Sequence, residues 1–80
     1  MEKEKILETL TKIFRNILDD DSIQLVTETT ANDIEGWDSL THIQLVVAIE
    51  RHFKIRFTSK EIQSWGNIGN LLDCVHTKIS

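Results

Sequence analysis

The sequence predicts an all-α fold: a small four-helix bundle, three main helices plus one short helix, with a long loop between helices 1 and 2. Two observations carry that reading. Apolar residues recur at helical spacing in separate stretches of the 80-residue chain, and the only alternating run after the second of them, Ile55 to Phe57, is too short for a strand of consequence. The chain also has no proline, no internal repeat and no low-complexity tract. At this length residues 1–80 form a single domain, burying only about 60% of the surface that the unfolded chain exposes.

In the first element, Ile6, Leu7, Leu10, Ile13, Phe14, Ile17 and Leu18 share one face of a helix over roughly residues 3 to 18. Glu2 and Glu4 suit its positive N-terminal end, and Asp19-Asp20-Asp21 would sit badly in a last turn, so it should stop there. From Asp19 to Asp38 no element is convincing. A structureless connection of about 20 residues is rare in a compact domain, and it counts either against the assignment or in favour of a functional loop. Ile23, Leu25, Val26 and Ile34 are its expected anchors on the bundle. The second helix should run from about Ser39 to Phe53. Thr58 and Glu61 fit the T-x-x-E capping box, which starts a brief helix near Ser59. Asn67 is the N-cap candidate for a last helix over roughly Ile68 to Lys78, with Ile68, Leu71, Leu72, Val75 and Ile79 inward.

Charge is distributed unevenly. The net value is -4, but between Asn16 and Glu50 there is no Lys or Arg at all. That segment holds Asp19, Asp20, Asp21, Glu28, Asp33, Glu35, Asp38 and Glu50, a formal charge of -8. An acidic surface of this kind repels nucleic acid and steers basic partner surfaces toward it. No apolar run approaches the roughly 20 residues that cross a bilayer, and "MEKEKILETL" does not read as a secretory signal. The expectation is a cytoplasmic monomer that binds no nucleic acid and has no membrane span.

The second helix has more apolar surface than one core face needs. At about 100° per residue, Leu45, Val46, Ile49 and Phe53 cluster on one side, as core positions should. Leu40, Ile43 and Val47 cluster on another side, well away from the first. Either the long loop covers that second stripe, or it is an exposed docking stripe beside an acidic surface.

The stripe starts one residue after Ser39, within Gly36-Trp37-Asp38-Ser39-Leu40. Ser39 does not read as a catalytic nucleophile, since the surroundings are not G-x-S-x-G and no strand-turn-helix pattern builds a nucleophile elbow. His42 and Asp38 are close in sequence, yet His42 projects toward the Leu45/Ile49 side and reads as a histidine at the core's edge. No register of the acidic loop places calcium ligands correctly, and the three histidines with Cys74 lack zinc-binding spacings. Cys74, the one cysteine, falls on the apolar face of the last helix and reads as packing rather than as a reactive thiol. Asp38 or Ser39 should cap the second helix. A helix start also suits an attached phosphate, because its free N–H groups and positive dipole end favour an anion.

At this point the sequence resembles a known family. Asp38-Ser39-Leu40 followed by "THIQLVVAIERHFKIRFTSKEI" closely resembles the acyl carrier proteins, in which an Asp-Ser-Leu motif opens an apolar helix ending in Glu-x-x-Phe, here Glu50-Arg51-His52-Phe53. "NIGNLLDCVHTKI" looks like the family's last helix, so the likeness covers the whole chain. The resemblance implies a 4'-phosphopantetheine arm on Ser39, installed from coenzyme A by a phosphopantetheinyl transferase. The arm's thiol would hold acyl groups as thioesters for separate acyl-transferring or acyl-modifying enzymes with basic docking surfaces, while the carrier itself catalyses nothing. By position, Leu40, Ile43 and Val47 would be apolar docking contacts, with Asp38 and Glu50 as acidic ones. Trp37 before the motif looks more like free-standing carriers of specialised pathways, including polyketide-type units, modified sugars and envelope lipids, than like those of primary fatty-acid synthesis. Gln44, Arg51 and His52 also depart from the strongly acidic second helix of the latter. The rival from another class is an unmodified carrier-like protein–protein interaction module.

Overall fold

The computed structural model describes residues 2–79. Four α-helices follow one another in it: α1 (Lys3–Leu18), α2 (Ser39–Phe53), α3 (Ser59–Gln63) and α4 (Ile68–Ile79). A single 3₁₀ turn, Ala31–Asp33, interrupts the long loop. Among the described residues there is no strand; Ile55 to Phe57 is a plain connection.

Helix α1 packs against both α2 and α4. Its buried contribution is Ile6, Leu10 and Phe14, spaced four residues apart so that one row faces the core. Asp19 ends the helix in the left-handed conformation (φ 52°), returning its N–H to the Arg15 carbonyl. Leu45 and Ile49 of α2 and Ile68, Leu71, Leu72 and Val75 of α4 complete the core with Ile23 and Leu25 from the loop. Lys54 closes α2, also left-handed at φ 58°, and its N–H returns to the Glu50 carbonyl.

Two expectations for the loop needed changing. Val26 is not an anchor: it is 53% exposed, because the chain turns there and its N–H is taken by the hydroxyl of buried Thr29 at 3.0 Å. The 3₁₀ turn is the second difference. Its signal was Thr30-x-x-Asp33: the Thr30 N–H and hydroxyl both donate to the Asp33 carboxylate, at 2.9 and 3.2 Å.

The loop is pinned mainly to the start of α4. The Thr29 carbonyl accepts the Ile68 N–H at 2.8 Å, and the Thr27 carbonyl accepts the Gly69 N–H at 2.9 Å. The loop thereby satisfies two donors that a helix start otherwise leaves without partners. A third goes to the predicted cap, Asn67, whose side chain accepts from the Asn70 N–H at 2.9 Å. Glycine at residue 69 eases this approach, since a Cβ there would stand 3.2 Å from the Thr27 carbonyl oxygen, a tight contact. The T-x-x-E box forms as read: Thr58 Oγ1 accepts from Glu61 N–H at 3.1 Å and Glu61 accepts from Thr58 N–H at 2.8 Å.

Candidate functional site

Of the two capping candidates, Asp38 takes the role. Its Oδ1 accepts the N–H groups of Leu40 and Thr41, each at 3.0 Å. Thr41 reciprocates, its hydroxyl accepting the Asp38 N–H at 2.8 Å and donating to the Gly36 carbonyl at 2.8 Å. Gly36 has φ +89°, a backbone state that side chains rarely tolerate, and this turn aims the chain into α2. These N–H donors, first that of Thr41, hold the Asp38 carboxyl below the usual carboxylate range, so it stays ionised.

Because Asp38 does the capping, Ser39 is released from it. Ser39 is the first residue of α2, is exposed, and its hydroxyl has no hydrogen-bond partner among the described residues. A nucleophilic oxygen standing in solvent at a rigid helix start is accessible to an incoming enzyme, and a phosphodiester on it would meet water rather than a packed wall. The N–H groups expected to receive that phosphate are fewer than a bare helix start offers, since Asp38 takes two of them. The residues therefore fit a covalently attached phosphopantetheine, with solvation and the helix dipole stabilising its charge.

Beside Ser39 opens a cleft of about 450 Å³ between the loop, α2 and the start of α4. Trp37, His42, Trp65 and Leu71 give it apolar walls, with Asn67 at its rim. The aromatic arrangement is specific. Trp37 meets Phe14 edge-on, with centroids 4.9 Å apart, which fixes the end of the loop to α1. It stacks on His42 at 6.0 Å, and its Nε1–H donates to His42 Nδ1 at 3.1 Å. That bond places the proton of the neutral imidazole on Nε2. His42 also meets Trp65 edge-on at 6.1 Å. His42 is half-buried, as an edge-of-core histidine should be. What the sequence did not give up was its bond to Trp37; the signal available was an indole five residues ahead of an imidazole across a capped helix start.

The second stripe of α2 is open. Leu40, Ile43 and Val47 are 68, 62 and 40% exposed, whereas Leu45, Val46 and Ile49 are buried. The loop does not cover them because its backbone is held on α4. Glu50, at the far end, is half-buried, and its carboxylate accepts the Phe57 N–H at 2.8 Å, which ties down the connection to α3. The structure thus brings Asp38, Ser39 and Leu40 together at the helix start and strings Ile43, Val47 and Glu50 along α2 away from it.

Cys74 lies apart from this region. Burial pushes its thiol pKa up, and its Sγ lies 3.7 Å from Glu61 Oε2, so the thiolate is disfavoured. No group of three or more metal-ligating side chains occurs among the described residues, and no helix there is long and apolar enough to cross a membrane.

Comparison with known proteins agrees with this geometry. Residues 8–75 match the family model described as "Phosphopantetheine attachment site". Among solved structures, the chain is similar to the solution NMR structure of a holo acyl carrier protein from Geobacter metallireducens, at 52% identity and a TM-score of 0.87. The match covers 91% of this chain and 84% of that one.

Proposed function

Since the chain belongs to the acyl carrier protein family and its cofactor is a covalent 4'-phosphopantetheine, we propose that Ser39 is the attachment residue. The observation that carries this is the Ser39 hydroxyl itself: exposed, unpartnered, and placed by the Asp38 cap at the head of an open apolar stripe. A phosphopantetheinyl transferase would load it from coenzyme A. When attached, the arm supplies a terminal thiol that holds an acyl group as a thioester.

The rest of the chemistry belongs to partner enzymes, and this chain acts as a carrier rather than a catalyst. Leu40, Ile43 and Val47 form the apolar docking contact, with Asp38 as its exposed acidic member and Glu50, whose carboxylate accepts the Phe57 N–H, at its far end. The aromatic cleft beside Ser39 offers an attached arm a partly apolar wall. Trp37 supports service in a specialised pathway, such as polyketide-type, modified-sugar or envelope-lipid synthesis, ahead of primary fatty-acid synthesis. The working form is a single-domain cytoplasmic monomer.

Intact mass tests the assignment. After incubation with coenzyme A and a broad-specificity phosphopantetheinyl transferase, the wild type should gain one phosphopantetheinyl group and Ser39→Ala none. Equal gain in the two proteins would move the attachment elsewhere. No gain in either would favour the unmodified interaction module.

A further inference from the structure

We propose that the exposed stripe of α2 docks a partner whose surface carries both signs of charge: basic groups opposite the Ser39 end, acidic groups opposite the far end. This rests on the carrier reading above and adds to it a partner polarity.

The base-free part of the chain stops at Glu50, and Arg51, Lys54 and Arg56 follow within six residues. Arg51 comes four residues after Val47, so it continues the Leu40/Ile43/Val47 row on the same face of α2. The left-handed turn at Lys54 then brings the chain back on itself. As a result Val47, Glu50, Arg51, Lys54, Ile55 and Arg56 line one shallow depression of about 400 Å³. All three cations are exposed, and none has an ion pair among the described residues; the pairs there are Lys3–Asp73 and Lys78–Glu61. Glu50, the only acid in the depression, points its carboxylate at the Phe57 N–H. The stripe therefore ends in net positive charge with an aliphatic floor.

Its other end is opposite in sign. Asp38 is ionised and exposed, and Glu35 is exposed close by in the loop. The 15 residues of α2 separate the two ends by about 22 Å. That is more than twice the screening length of about 8 Å at physiological salt, so a partner meets two distinct fields rather than their average. A uniformly basic surface laid along α2 would be attracted at Asp38 and repelled at Arg51. A two-signed surface is attracted at both, and only in one direction, which fixes how the partner lies relative to Ser39. An anionic membrane fits less well, because the Glu35/Asp38 end would repel it.

The test uses holo protein labelled with ¹⁵N and three synthetic amphipathic peptides sharing one leucine face. The first has lysines at one end and glutamates at the other, the second lysines throughout, the third glutamates throughout. The two-signed peptide should bind about tenfold more tightly than either other peptide, shifting the amides from Leu40 to Arg51. Replacing Arg51→Glu, Lys54→Glu and Arg56→Glu together should transfer that preference to the all-lysine peptide, with helix content by circular dichroism unchanged. Equal or tighter binding of the all-lysine peptide to the wild type would overturn the proposal. So would absence of shifts with every peptide, or stronger retention by vesicles of phosphatidylglycerol and phosphatidylcholine. Loading of Ser39 is read separately by mass, so failure here and failure of the attachment assignment are told apart.

Discussion

Helix α2 bears two sets of aliphatic side chains of similar size, and they meet opposite fates. Leu45, Val46 and Ile49 are buried, Leu45 and Ile49 in the core shared with α1 and α4, while Leu40, Ile43 and Val47 stand in solvent. Hydrophobicity does not separate the sets. What separates them is which neighbours the rest of the chain supplies: a second face stays open because the one long loop able to cover it is hydrogen-bonded to α4 instead. An aliphatic row left open in so small a bundle, beside an unpartnered serine, is the feature on which the proposed docking surface rests.

The contrast is tested most strongly by pairing one substitution from each face. Ile49→Ala should destabilise by about 3 kcal/mol, through lost burial and the cavity left behind. Ile43→Asp should change stability by no more than about 0.5 kcal/mol, since an exposed site has no such mechanism. Urea unfolding followed by circular dichroism measures both; a collapse of helicity in Ile43→Asp would make Ile43 a core residue and erase the distinction. Transfer of the holo protein's cargo by a partner enzyme should nevertheless weaken in Ile43→Asp.

A smaller effect is expected where the loop is held. Gly69→Val places branched carbon against the Thr27 carbonyl and should cost about 1–3 kcal/mol by overpacking. Faster hydrogen exchange at the Ile68 and Gly69 amides would locate the damage, and unchanged exchange there would show that another contact keeps the loop off the stripe. The smallest effect concerns the cap. The Asp38 carboxyl has a lowered pKa when folded, so its stabilising contribution is present above the unfolded value and is lost as pH falls through the folded one. Asp38→Asn keeps a capping oxygen without the charge. Its Tm should sit slightly below wild type at neutral pH, and the two should converge in acid; a constant difference across that range would mean that the charge contributes nothing.

The sequence made the helices legible because their signals are local. The row from Ile6 to Leu18, the Thr58/Glu61 box and the Asn67 cap each lie within a few residues of what they specify, and each forms as read. The Asp38-Ser39-Leu40 motif was legible for the same reason, since it occupies three consecutive residues. Val26 and the Thr30–Asp33 turn were not, since four apolar residues in a loop do not say which of them meets the bundle. Nor was the choice between Asp38 and Ser39 as cap. Both side chains suit the position, and the decision came from Thr41, which completes a reciprocal pair only with Asp38.

By itself, then, the sequence determined the helices, the Thr58/Glu61 box, the Asn67 cap and the family likeness around Asp38-Ser39-Leu40, because periodicity and capping act over one or two turns. The tertiary structure alone decided that the Leu40/Ile43/Val47 stripe is open, that Trp37, His42 and Trp65 wall a cleft beside Ser39, and that Glu50 holds the Phe57 backbone while three cations gather around it. Those outcomes depend on where a 20-residue loop and a left-handed turn place distant groups, and a one-dimensional pattern holds no distances between them.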